Sequence, residues 1–450
     1  MGLASMRMMT LKQIAKILNS SLPEVEGMVK GFCVDSRLTK KNEVFVALRG
    51  EHVDGHAYLN EVKQKGALAA IVDQNYQGTG FGMHLFRTEN PLLALQMLAQ
   101  KCLEKTSRVV AVTGSIGKTT TKEFIKTLLE QRYVTAASQG NSNSQVGLPL
   151  TVLNHTTGTE DILVLEMGMT EPGQLRTLVN IAHPEVSVLT TAALVHACRF
   201  ETLKDIALTK AEIFSHSHTR LGVVDREIEA YETIAQIGKC KKISFSTVSS
   251  SADYHLETVN EEVRLKTEGQ SISLGKMCLP GKHNLHNLLA AIAVARYFEL
   301  TWNEIKQAIP FLKLPERRLQ FVQKEGIYFL NDSYNASELS VKSALETLPN
   351  ATGKGYKIAV LGSMMELGHF SDECHQRVGE FALNYVDKMY CLGAECLPIV
   401  EVWKKANRPV ELFMERSELI STLKQNLKPA DVVLLKGSGS KELWKILEEL

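Results

Sequence analysis

Apolar residues recur along this chain in short uninterrupted runs, separated by longer stretches whose apolar positions fall three and four apart. The runs read as buried strands and the stretches as amphipathic helices packed on them. An opening segment, 10–31, keeps helical spacing through Leu11, Ile14, Ala15, Ile17 and Leu18, and the first strong run is Val44-Phe-Val-Ala-Leu48. A helix near 57–65 and a strand over 67–72 follow, and this unit is expected to end near residue 85, ahead of a helix over 91–104. Further runs at 109–113, 134–138, 161–167, 186–190, 221–225 and 242–246 alternate with helical stretches, which predicts a mainly parallel, doubly wound sheet. From Asp253 to Leu279 the runs shorten and alternate around Gly269 and Gly275, an expected antiparallel edge. Helices are expected over 283–298 and 303–309. Pro310 to Pro315 reads as a linker, after which strands near 327–331, 357–361, 388–392, 410–413 and 432–435 alternate with helices. The expected division is three α/β domains, 1–85, 86–312 and 313–450.

Composition narrows the class. A chain of 450 residues exceeds one ordinary core, and 44% hydrophobic with 22% charged residues is globular composition. A net charge of +1 leaves no electrostatic footprint for nucleic acid, and no apolar run approaches a membrane span. The eight cysteines, at 33, 102, 198, 240, 278, 374, 391 and 396, include no C-x-x-C pair, which argues against zinc ribbons and a disulfide framework. Residues 1–6 resemble a myristoylation signal but carry Met6 where serine or threonine is required. A cytoplasmic protein is expected.

The strongest chemical signal follows the run 109–112. The turn Gly114-Ser115-Ile116-Gly117 leads into Lys118-Thr119-Thr120, which opens a helical stretch to about residue 131. Strand, glycine turn and helix start form a phosphate loop: glycines let backbone N–H groups approach phosphate oxygens, and the helix N-terminus adds positive potential. Lys118 would reach the β- and γ-phosphates, and the Thr119 hydroxyl would ligand Mg²⁺. The longer consensus asks for glycine at 112, where this chain has valine.

Other positions carry weaker signals. Glu166 ends the apolar run 161–167, where a strand-end carboxylate can hold Mg²⁺ or merely face solvent; the upstream loop favours metal. The amide-rich stretch Gly140-Asn-Ser-Asn-Ser-Gln-Val-Gly147 could bind substrate oxygens or be a solvated loop. Lys210 falls inside the apolar stripe Leu203, Ile206, Ala207, Ile213, Phe214. A lysine there snorkels, finds an acid or loses its proton, and snorkelling is the ordinary outcome. A neutral amine could instead add CO₂ to become a carbamate, a carboxylate-like metal ligand. His196 could ligand a metal or be solvated, and Cys198 has no evident acid–base partner. His283 and Asn287 share one helical face near a helix start, where capping is the plain alternative to ligand binding.

In this order, the short phosphate loop, Asn141-Ser-Asn143, Glu166, His196, Lys210 and the helix Gly281-Lys-His-Asn-Leu-His-Asn287 resemble the Mur ligase family. These are ATP-dependent enzymes that add amino acids or peptides to the cell-wall precursor. The third unit adds Arg317-Arg318, Asn331-Asp-Ser-Tyr-Asn-Ala-Ser337, Val360-Leu-Gly-Ser-Met-Met-Glu-Leu-Gly368 and Lys436-Gly-Ser438. The first adds Asp35-Ser-Arg37, Phe45-Val-Ala-Leu-Arg-Gly-Glu51 and Asp54-Gly-His56. Together these look like the family member that joins D-alanyl-D-alanine to UDP-N-acetylmuramoyl-tripeptide. The D-N-P-R sequence of the diaminopimelate-adding member is absent.

The resemblance implies a UDP-binding N-terminal domain, a central ATPase domain and a C-terminal Rossmann-like domain that closes over ATP. It implies an acyl phosphate formed at the expense of ATP and captured by the dipeptide amine, in a monomeric enzyme. By resemblance, Gly114, Ser115, Gly117, Lys118, Thr119 and Thr120 hold the nucleotide phosphates. Thr119 and Glu166 serve one Mg²⁺, and His196 with a carbamylated Lys210 serves a second. His283, Asn284 and Asn287 lie where the family meets adenine, and Arg318 and Asp332 where the third domain touches nucleotide. Ser36, Arg37, Asn141, Asn143 and Asn335 fall at substrate positions, and Lys118, His196 and Lys210 at catalytic ones. The chain departs from the family pattern at Thr191, Cys198, Asn331, Glu338, Ser363 and Gly439. The first-domain motifs argue against a folylpolyglutamate-type reaction. Intact Lys118, Glu166, His196 and Lys210 argue against a non-catalytic nucleotide-binding protein.

Overall fold

A computed structural model describes residues 9–22, 26–104, 108–259, 262–277 and 279–450. Residues 1–6 and Cys278, discussed above, lie outside them. The first unit is a four-stranded parallel sheet, Gly31–Cys33, Glu43–Val46, Ala69–Asp73 and His84–Thr88 in that spatial order. A two-stranded antiparallel pair, Met9–Thr10 with Met28–Val29, brackets the helix Leu11–Leu18. The small helix expected within 10–31 is Leu11–Leu18. The short strand Gly31–Cys33 was not anticipated. Its outer edge is closed by a side chain: Asn154 accepts from the Phe32 N–H and donates to the Phe32 carbonyl, both at 2.8 Å. That amide substitutes for a fifth strand and ties the first sheet to the central domain.

The strand His84–Thr88 pairs with Ala69–Asp73 over its full length, so the boundary expected at 85 falls within a strand of the first sheet. The helix Pro91–Leu103 begins immediately afterwards. Asn90 caps it by accepting from Leu92 N and Leu93 N, and Pro91 takes the first helical position, where no N–H is needed. Leu95 and Leu98 of this helix share one core with Val44, Val46 and Phe86 of the first sheet and Leu163 and Leu165 of the central one.

Among the described residues the central sheet has nine strands. From one edge they run Thr135–Ala137, Ile162–Glu166, Arg108–Thr113, Val186–Leu189, Leu221–Asp225, Lys241–Ser246 and Tyr254–Val259, all parallel. Glu262–Thr267 and Gln270–Lys276 then add the expected antiparallel edge. Strands covered on both faces read as continuous apolar runs because alternate residues feed different cores. Val109 and Ala111 enter the core shared with the first sheet, while Val110 and Val112 enter one built on the helix Lys282–Tyr297.

The third unit repeats this logic. Its six strands lie in the order Gln320–Lys324, Ile327–Asn331, Val432–Lys436, Lys357–Gly362, Lys388–Leu392, Val410–Phe413. Ala359 and Leu361 pack to one side, Ile358 and Val360 to the other. The strand Gln320–Lys324 was not anticipated, because its composition is polar. It is the antiparallel outer strand of a hairpin turned at Glu325 and Gly326, both with positive φ (50° and 78°).

Candidate active site

The carboxyl ends of the central strands open into a cavity of about 1020 Å³, walled by the central and third domains. The phosphate loop forms its floor. Gly114 has φ 153°, and a Cβ there would lie 1.9 Å from Thr190 Oγ1; at Gly117 (φ 84°) a Cβ would meet Asn287 Oδ1 at 2.3 Å. Both positions therefore require glycine. Ser115 anchors the loop, its N–H donating to Thr191 O (2.8 Å) and its hydroxyl to Ala193 O (2.9 Å). Val112 explains the shortened motif: it is fully buried inside the strand, paired with Val188 and Glu166, so the loop begins only after Thr113.

Lys118 curls back over the loop, donating to Gly114 O at 2.8 Å and Ser115 O at 3.3 Å. Burial lowers its pKa; Glu166 opposes that shift and Arg318 reinforces it. The Thr119 hydroxyl donates to Glu166 Oε2 at 2.8 Å, and Asn143 Nδ2 donates to Oε1 at 2.7 Å. Glu166 is buried, so the strand-end carboxylate faces the cavity rather than solvent. Asn143 acts on Glu166, and its backbone carbonyl accepts from Gly168 N at 2.8 Å, folding the 140–147 loop against the strand. Asn141 lines the same wall.

Lys210 is the last residue of the helix Leu203–Lys210, which tightens into the 3₁₀ turn Ala211–Phe214. It does not snorkel: it is 3% exposed, and no described carboxylate pairs with it. Burial and the nearby Lys118 ammonium push its pKa well down. His196 lies on the same cavity wall, its backbone left-handed at φ 55°. Its Nδ1 meets the Glu366 carboxylate of the third domain. Burial lowers the His196 pKa, with Glu366 opposing.

Lys282–Tyr297 presents His283, Asn284 and Asn287 to the cavity. Asn284 Nδ2 donates to Pro280 O (2.7 Å), and Asn287 Nδ2 donates to Asn284 Oδ1 (3.2 Å). The Asn287 amide is thereby held against Gly117. Burial lowers the His283 pKa to about 4. From the third domain, Arg318 stacks over the Tyr334 ring at 4.2 Å and donates to Thr119 Oγ1 at 3.1 Å. The Arg318 Nε is buried without a hydrogen-bond partner. Asp332 accepts from Leu319 N at 3.1 Å and from Lys436, which also donates to Asn335 O at 3.0 Å.

Ser36 and Arg37 are not brought to this cavity. Ser36 is buried beside Glu61 (3.3 Å), and Arg37, 83% exposed, is clasped by Asp35 at 2.6 Å. Tyr334, Lys436, Glu366 and the group Asp225, Glu227, His286 were given no role in the sequence. The last three gather donor atoms within 4.8 Å of one another on the same cavity. Two acids close together, Asp225 ending the apolar run 221–225 and Glu227 in the turn after it, were the signal available for them. Two of the departures from the family pattern, at Thr191 and Glu338, are structurally quiet. Thr191 contributes its carbonyl, and Glu338 takes the first position of the helix Glu338–Thr347, where proline is equally at home. The Glu338 carboxylate is held by Arg377 (2.7 Å) and Lys342 (2.7 Å).

The donor set suits a hard divalent cation. A hydroxyl and a carboxylate converge at Thr119 and Glu166, and a buried lysine that pairs with no acid among the described residues is suited to conversion into an oxygen donor.

Comparison with known proteins agrees with this geometry. The family profile described as Mur ligase middle domain matches residues 112–295, and that described as Mur ligase, glutamate ligase domain matches 317–439. The chain is 30% identical to the UDP-N-acetylmuramoyl-tripeptide–D-alanyl-D-alanine ligase of Bacillus subtilis, and 31% identical to that of Escherichia coli. Each alignment covers 98% of both chains. Among solved structures, MurF ligase from Thermotoga maritima in complex with ADP is 28% identical with a TM-score of 0.77, over 94% of this chain and 97% of that one. MurF from Acinetobacter baumannii, at 24% identity, shares the fold with a TM-score of 0.86 over 99% of each chain. With both domain profiles matched and full-length relatives at 30% identity and above, the chain belongs to the Mur ligase family.

Proposed function

We propose that the chain is the ATP-dependent ligase that joins D-alanyl-D-alanine to UDP-N-acetylmuramoyl-tripeptide in peptidoglycan precursor synthesis. The observation that carries the chemistry is the convergence in one cavity of Lys118, the Thr119–Glu166 pair and the buried Lys210, with which no described carboxylate pairs. The full-length relatives supply the substrate class.

The reaction brings two anions together, a carboxylate and a triphosphate. The precursor carboxylate attacks the γ-phosphorus; a C–O–P linkage forms, the β,γ-bridging bond breaks, and ADP leaves. The dipeptide amine then attacks the acyl carbonyl; the C–N bond forms, the C–O bond to phosphate breaks, and the amine proton leaves with the departing phosphate. Lys118, Arg318 and the N-terminus of the helix Lys118–Leu129 offset the charge repulsion in one cavity. Mg²⁺ would supply further neutralisation, held by Thr119 and Glu166 at one position and by His196 with carbamylated Lys210 at another. Asn143 keeps Glu166 aimed. Gly114, Ser115, Gly117 and Thr120 cradle phosphates, while His283, Asn284 and Asn287 receive the adenosine end. Arg318, Asp332 and Asn335 come from the third domain to complete the site, and Asn141 faces the substrate. Ser36 and Arg37, outside the cavity, are assigned to the distant UDP end of the long precursor.

The test is incubation of the purified chain with ATP, Mg²⁺ and UDP-N-acetylmuramoyl-tripeptide, with and without D-alanyl-D-alanine. Phosphate release and pentapeptide product should depend on the dipeptide. Phosphate release indifferent to it would overturn the proposal.

A further inference from the structure

Two loops from different domains interlock beside the cavity, which Val195 and His196 of one of them line. One, 194–200, follows the central strand Val186–Leu189; the other, 364–370, follows the third-domain strand Lys357–Gly362. Cys198 N donates to Glu366 O at 3.0 Å, a backbone bond between domains. Gly368, with φ 57°, sits directly on Cys198, and a Cβ there would come within 2.9 Å of Cys198 Cα. Leu194 packs into the third-domain core, and Phe370 packs against both that core and the one shared by the first two domains. His196 and Glu366, the two residues facing each other across this junction, both hold left-handed backbones (φ 55° and 62°). Non-glycine residues rarely adopt that conformation, and here it turns both side chains toward one another.

The side-chain contact is specific to one ring nitrogen. Glu366 engages His196 Nδ1, which leaves Nε2 without a hydrogen-bond partner among the described residues on a side chain that lines the cavity. A carboxylate on one imidazole nitrogen fixes the tautomer and the ring plane, so that the other nitrogen presents its lone pair in a set direction. As an exposed ion pair alone the contact would add little to stability, Glu366 being 57% exposed. Its consequence lies in orientation. Because the carboxylate belongs to the third domain, His196 gains its orienting partner only when that domain is docked.

We propose that Glu366 is a positioning residue for His196 that couples docking of the third domain to completion of the second cation position, an inference that rests on the ligase reading above. Glu366 touches no substrate in this role; it acts through His196.

The full-length chain, its Glu366→Ala and Glu366→Gln variants and His196→Ala are compared with Mn²⁺ as probe and a non-hydrolysable ATP analogue bound. Mn²⁺ affinity is read by electron paramagnetic resonance, and docking by the distance between labels on the central and third domains. The Cys198–Glu366 backbone bond and the Gly368 seat survive both Glu366 substitutions, so the interdomain distance should stay as in wild type. Mn²⁺ affinity should fall about 10-fold or more in Glu366→Ala, as for loss of other partners behind metal-binding histidines. It should fall less in Glu366→Gln, which retains an oxygen acceptor for Nδ1–H. In turnover, kcat should follow the same order with little change in KM for the dipeptide. Wild-type Mn²⁺ affinity in Glu366→Ala, with His196→Ala weakened, would overturn the coupling alone. So would a changed interdomain distance at unchanged affinity, which would make Glu366 a clasp. Unchanged affinity in His196→Ala would remove the cation position itself, and the dipeptide-dependent assay of wild type judges the ligase reading separately.

Discussion

Arg318 of the third domain donates to the hydroxyl of Thr119 at 3.1 Å, and that same hydroxyl donates to Glu166 at 2.8 Å. One oxygen at the first turn of the phosphate-loop helix thus joins two domains and a candidate cation ligand. The guanidinium lies over the Tyr334 ring at 4.2 Å on a side chain that lines the cavity, a donor fork suited to a phosphate oxygen.

Replacing this arginine tests the link. Arg318→Ala is expected to lower kcat/KM for ATP by about 100-fold, and Arg318→Lys to recover only part of it, because an ammonium lacks the planar fork. Steady-state kinetics with ATP varied would check this. A lysine variant equal to wild type would show that charge alone suffices.

Glu166→Gln preserves size and the Thr119 contact while removing the charge. Turnover should fall by about 100-fold, with the loss partly relieved at high Mg²⁺. ADP binding measured calorimetrically without divalent cation should remain near wild type. Equal turnover across Mg²⁺ concentrations would contradict a cation at this carboxylate.

Lys210→Ala should abolish activity, and excess bicarbonate with a short carboxylic acid should restore part of it by filling the space of the carbamate. The buried amine beside Lys118 motivates this expectation, since desolvation disfavours its protonated form. Full activity in the alanine variant would exclude the carbamate.

His283 provides a pH signature. Burial lowers its pKa from 6.5 to about 4, so between those values the unfolded chain binds a proton that the folded chain refuses. Its contribution to stability is therefore present above pH 6.5 and is lost as pH falls toward 4. Urea unfolding of wild type and His283→Gln at pH 7 and pH 5 should show a smaller pH-dependent loss in the variant. Parallel losses in both proteins would assign the acid sensitivity elsewhere.

The parallel strands of the central and third domains were legible because both faces are covered, which makes each one an unbroken apolar run. Gln320–Lys324 was hidden for the opposite reason: an outer hairpin strand needs few apolar residues. The short strand Gly31–Cys33 depends on Asn154, far away in the chain, to finish its hydrogen bonding, and no local pattern reports that. The strand His84–Thr88 has only one fully buried side chain, Phe86, so the end of the first sheet was placed too early.

By itself the sequence determined the phosphate loop, the strand carrying Glu166 and the anomalous lysine on an apolar stripe. Each is a local pattern whose chemistry follows from neighbours a few residues away. Only the tertiary structure decided that Lys210 is sealed without an acid, since snorkelling and burial share one helical pattern. It also decided that Asn143 serves Glu166, and that Arg318 and Glu366 reach Thr119 and His196 from another domain. Those contacts span up to 199 residues of chain, and packing alone brings their atoms together.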